Sequence, residues 1–163
     1  YRFFSRCYRM LKIRCTIIYC VRKDVSQEMN EILLQKQATI KHCIIRMNEV
    51  YNNDSKNLSD LTRQDSIILN LQRICQASID MAMYVVSTRK LGLPKASQDG
   101  FKLLKEAHFI NSSLSTSLMN MMGFCNIAIH DYPSLDLNIL QAILEKHIDD
   151  FLIFAQIVIQ FED

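Results

Sequence analysis

Apolar residues recur at i, i+3, i+4 through most of the chain from Ser26 onward, a period that predicts helices rather than strands. The first helix is expected over Gln27–Tyr51, with Ile32, Leu33, Ile40, Ile44, Met47 and Val50 on one broad stripe. The polar run 52–57 (NNDSKN) reads as a loop. Thr62, with Asp65 three residues later, forms the pattern of an N-cap and capping box. The helix it opens should run to about Lys90 and bury Ile67, Ile68, Leu71, Ile74, Cys75, Ile79, Ala82, Met83 and Val86, with Gly92 and Pro94 ending it. Ser97 is placed to cap a short third helix through Ala107, packed by Phe101, Leu103 and Leu104. A fourth should run from Ser112 toward His130 and stop at Asp131-Tyr132-Pro133, because the residue before a proline is pushed out of the helical region. Asp136 caps the fifth, whose stripe is Ile139, Leu140, Ile143, Leu144, Ile148, Phe151, Leu152, Ala155 and Val158. The expected architecture is all-α, an up-and-down bundle of about five helices without internal repeats.

Composition narrows this further. Of 163 residues 49% are apolar, and three glycines and two prolines are the only ones present, none before Gly92. A sandwich or barrel needs such residues at frequent turns. The apolar fraction excludes disorder, and the length suits one domain with a core of its own.

Charge is uneven. Residues 1–23 carry seven basic side chains and no acid, and the rest of the chain has five more acids than bases. A globally basic nucleic-acid binder is therefore excluded, and any RNA contact needs a local patch, for which Arg63, Arg73, Lys102 and Lys105 are candidates. Residues 1–28 form a basic extension with arginines among its apolar residues, which does not fit a secretory signal. It fits an amphipathic helix on a membrane or RNA, an organelle presequence, or extra sequence upstream of the natural start. The last reading is favoured, since Met29 begins a segment that reads as a protein start. The domain proper is then 29–163. The longest uncharged run, Ala107 to Ile129, is studded with Asn, Ser and Thr and does not read as a membrane span.

The six cysteines show no C-x-x-C and no Cys/His ligand spacing. Reduced, mostly buried thiols in a cytoplasmic protein without a metal site are the expectation. His42 and His147 read as surface or boundary residues, and His108 falls in a turn. Asp149-Asp150 reads as a solvated face. No phosphate loop and no Ser/His/Asp spacing stands out.

One segment departs from this plain picture. Along 121–132 (MMGFCNIAIHDY) the polar trio Asn126, His130 and Tyr132 closes an otherwise apolar helix. Asn126 and His130 are four apart and share a face. The dipole at a helix C-terminus favours a protonated histidine, which suits proton transfer near neutral pH.

The segment resembles the Arg-Asn-x-x-x-His-x-Tyr motif of the HepT toxins, helical ribonucleases of the HEPN superfamily. The likeness extends over almost all of residues 29–160, through 61–73 (LTRQDSIILNLQR), 90–94 (KLGLP) and 137–147 (LNILQAILEKH). It implies a HEPN-type homodimer whose paired motifs line one cleft and cleave RNA, tRNA or mRNA, without a metal or other cofactor. His130 would handle the proton of the 2′-hydroxyl or of the leaving oxygen, and Asn126 would orient groups within the site. Tyr132 matches the tyrosine to which the cognate antitoxin, a minimal nucleotidyltransferase, transfers AMP to silence the toxin. Where the family carries a catalytic arginine this chain has Cys125, which lacks both the charge and the reach of a phosphate-binding guanidinium. The resemblance thus implies an endoribonuclease toxin, impaired in this copy. The alternative is an inactive HEPN dimer that serves as partner and substrate of the nucleotidyltransferase.

Overall fold

In a computed structural model the described residues are 30–130 and 135–161. The chain divides into two compact units, Tyr1–Leu34 and Gln35–Asp163. Of the first, residues 30–34 are described and are helical. The boundary expected between residues 28 and 29 lies outside the described residues, as do Cys7, Cys15 and Cys20.

Helix α1 spans residues 30–51. Its buried positions are Leu33, Ile40, Cys43, Ile44, Met47 and Tyr51, whereas Ile32 is exposed and Val50 half-buried. Leu33, Ile40, Ile44 and Met47 are thus buried as expected, Cys43 joins them, and Tyr51 rather than Val50 closes the stripe. Asn52 and Asn53, both at φ 50°, end the helix in the left-handed region that asparagine tolerates. The expected loop is in fact partly ordered as a 3-10 turn over Ser55–Ser59, capped by Asp54 and anchored by buried Leu58.

Helix α2, Leu61–Thr88, is capped by Asp60 rather than Thr62. The Asp60 carboxylate accepts from the backbone N–H groups of Thr62 at 2.9 Å and Arg63 at 3.1 Å, which puts Thr62 inside the helix. Met81 and Val85 are buried, while Ile79 and Met83 are half-buried. The helix stops before Gly92, with Lys90 at φ 54°.

Helix α3 runs over Asp99–Glu106. Ser97 does not cap it. Asp99 instead ties the preceding turn by accepting from the N–H groups of Lys95 and Ala96. Gly100 has a structural reason: a Cβ there would stand 3.3 Å from the Ala82 Cβ of α2, so the absent side chain lets the two helices approach closely.

Helix α4, Ser112–His130, has the expected bounds, and the side chain of Asn111 accepts from the Leu114 N–H at its start. Asp136 caps α5, Leu137–Ala142, as expected. The last rod is not one continuous helix, however. A π turn at Ile143–His147 separates α5 from α6, Ile148–Gln160. Ile139 is exposed, while Phe154 is fully buried.

Helix α2 packs against α3, α4 and α6, and α4 packs against α3 and α6. Phe101, Phe151 and Phe154 are among the largest fully buried side chains, each contributing on the order of 1.5–3 kcal/mol. Phe101 and Phe154 meet edge to face with centroids 5.3 Å apart. No helix among the described residues is long and apolar enough to cross a membrane.

Candidate functional site

Residues 121–130 of the segment singled out from the sequence form the C-terminal half of α4, which is held against α2. Its periodicity separates two neighbours. Cys125 is buried, whereas Asn126, turned by about 100°, is exposed. The Cys125 Sγ lies 2.6 Å from the Sγ of Cys75 on α2, so the position expected to reach for phosphate points into the bundle. The contact with Cys125, and then burial, hold the Cys75 thiol well above the ordinary thiol range.

His130 is the last residue of α4, one helical turn beyond Asn126. Its side chain lies outside the described residues, and so does Tyr132 together with the expected stop at Asp131-Tyr132-Pro133.

Beside Asn126 is a cavity of about 310 Å³ whose polar lining comes from Gln72, Gln76, Ser97, Gln98 and Asn126, with both cysteines in its wall. Among the described residues its lining contains no lysine or arginine. The four candidate cations lie elsewhere: Arg63 donates to Asn57, Arg73 is exposed on α2, and Lys102 and Lys105 are carried by α3. Such an amide-rich recess offers hydrogen bonds to a polar group but no fixed positive charge.

A second feature escaped the sequence reading. Ser117 on α4 donates a hydrogen bond to the Asp150 carboxylate on α6. The His147 Nδ1 is 3.4 Å from the Ser117 Oγ and 3.5 Å from Asp150 Oδ2. Asp150 is thus half-buried and partnered, a correction to its reading as part of a solvated face. Ser117 and His147 edge a groove of about 670 Å³ whose apolar wall includes Met121, Phe124, Ile139 and Ile143. The three groups do not form a nucleophile relay, which needs histidine between the hydroxyl and the carboxylate; here the serine proton goes directly to Asp150. The group serves to fasten α4 to the start of α6. His147 ends the π turn, a feature that residue spacing does not announce, and Asp150 follows in the first turn of α6.

Comparison with known proteins agrees with the all-α bundle. Residues 40–158 match the family described as Ribonuclease HepT-like. The mRNA nuclease HepT of Shewanella oneidensis is 44% identical over 130 residues, which covers 80% of this chain and 98% of that protein. A toxin–antitoxin structure with AMP-PNP superposes with TM-score 0.75 at 42% identity, covering 78% of this chain and 97% of the other. The tri-AMPylated Shewanella oneidensis HEPN toxin in complex with MNT antitoxin gives the same TM-score at 43% identity, covering 78% of this chain and 96% of that one. The fold is therefore that of a HEPN toxin, and the chain belongs to the HepT-like ribonuclease family.

Proposed function

We propose that this protein is the toxin of a HepT/minimal-nucleotidyltransferase pair, a metal-independent endoribonuclease acting on tRNA or mRNA in the cytoplasm as a homodimer. The observation that carries the reading is the 44% identity to an mRNA nuclease along 98% of that protein's length. In this reading His130 moves the proton, Asn126 holds substrate or imidazole in register, and the paired α4 ends of two protomers form the cleft. Tyr132 receives AMP from the antitoxin, and the added anionic bulk repels RNA phosphate from the cleft.

Cys125 takes the place of the family arginine. Losing one charged donor to a transition-state phosphate costs about 100- to 1,000-fold in rate, so this copy cuts slowly. The burial of Cys125 against Cys75 favours a second reading in part: a HEPN dimer that no longer cleaves and remains as substrate of the nucleotidyltransferase.

Both readings share the partner and differ in turnover. Incubation with a minimal nucleotidyltransferase antitoxin, ATP and Mg²⁺ should add AMP to the peptide containing Tyr132. AMP on another residue would refute the Tyr132 assignment, and no AMP at all would count against modification by the antitoxin. RNA cleavage then divides enzyme from inactive partner.

A further inference from the structure

We propose that Cys75 and Cys125 form a redox-responsive pair, closing to a disulfide that ties α2 to α4 at the residue before Asn126. Several observations meet here. The two sulfurs are 2.6 Å apart, well inside the usual spacing of non-bonded sulfur atoms. Both cysteines are free thiols, and a small inward shift of the two side chains brings them to bonding distance. Burial within the bundle does not seal them off, because both line the 310 Å³ cavity beside Asn126, which is large enough to admit a small oxidant. Cys43, the remaining described cysteine, is also buried and free but has no sulfur partner among the described residues.

The chemistry balances with a peroxide as oxidant. One thiolate attacks an oxygen of hydrogen peroxide; the O–O bond breaks, leaving a sulfenic acid and, after protonation, one water. The second thiol displaces the sulfenic oxygen as another water and the S–S bond forms. Two thiols have lost two protons and two electrons, and the peroxide has become two waters. A dithiol reductant reverses the step. Because attack needs a thiolate and Cys75 is held above the ordinary thiol range, the reaction is slow near neutral pH and speeds up as pH rises.

The bond would close a loop of about fifty residues, restricting the unfolded chain, and would fix the C-terminal half of α4 against α2. Its formation does not depend on the ribonuclease reading, so its failure would leave that reading intact.

Peptide mapping of the whole protein decides the matter. Trypsin places Cys75 in residues 74–89 and Cys125 in 106–146, apart from Cys43 in 42–46. After peroxide treatment and thiol blocking, non-reducing mass spectrometry should find 74–89 joined to 106–146, and dithiothreitol should separate them. The Cys43→Ser variant should give the same link, and the oxidised protein should unfold about 5 °C or more above the reduced one. The proposal is overturned if the two peptides stay unlinked, if either thiol goes only to sulfinic or sulfonic acid, or if Cys75 or Cys125 links to any other cysteine.

Discussion

Cys75 on α2 and Cys125 on α4 face each other across the helix interface with their sulfurs 2.6 Å apart, while Asn126, the next residue along, faces solvent. The buried position is the one at which the HepT motif carries arginine, and that sets a conflict between packing and chemistry. A guanidinium at 125 has to leave the core through the recess lined by Gln72, Gln76 and Gln98, or else displace Cys75.

Cys125→Arg should therefore lower stability by about 1–3 kcal/mol, the usual cost of overpacking a core. Adding Cys75→Ala should return part of the loss, since the two sites share one space. Urea unfolding of the two variants and the parent measures this. An unchanged midpoint for Cys125→Arg alone would contradict the burial of position 125.

The helix-start assignment has its own test. Asp60, rather than Thr62, caps α2, so Asp60→Ala should cost about 1 kcal/mol. Thr62→Ala should stay within a few tenths, as expected for an exposed helical position. Thermal or denaturant midpoints separate the two, and the reverse ranking would reinstate the threonine cap.

A pH prediction follows from Tyr51 and Glu145. The Tyr51 hydroxyl donates to the Glu145 carboxylate at 2.5 Å. Burial first, then that hydrogen bond and the carboxylate charge, push the tyrosine up to about 12, while the hydrogen bond from Tyr51 and a second from Gln141 hold Glu145 below the usual carboxylate range. A raised tyrosine contributes stability that is whole below the unfolded value of about 10. That contribution is lost as pH climbs from there through 12. A lowered carboxylate contributes above its unfolded value and fades as pH falls through the folded one. Tyr51→Phe should remove the alkaline limb and weaken the acid one. Unfolding midpoints across pH would reveal this, and an unaltered alkaline limb in Tyr51→Phe would dismiss the pair as its source.

What was legible in the sequence was local. The existence of α2, the bounds of α4 and the Asp136 cap follow from period and capping chemistry, and they are found as those rules put them. The errors arose where neighbouring residues compete under the same rule. Asp60 and Thr62 are both good N-caps, and only the extended backbone of Asp60 decides between them. Ile32 and Ile139 fit a helical stripe as well as Leu33 and Leu140 do, but only the latter pair face the core. Spacing says nothing of contacts made by distant segments. Ser117 with Asp150, Tyr51 with Glu145 and Cys75 with Cys125 are brought together by the packing of separate helices. At the site, the alternation of Cys125 inward and Asn126 outward could have been read from the helical period. That Cys125 would meet another thiol could not.

The ribonuclease assignment is tested most directly by incubating bulk tRNA and mRNA with the parent protein, with Cys75→Ala/Cys125→Arg, and with that variant also carrying His130→Ala. The account predicts slow cleavage by the parent, a gain of about 100-fold or more once arginine is restored, and loss of cleavage without His130. A folded arginine variant that leaves RNA intact, or cleavage that persists after His130 is removed, would contradict it.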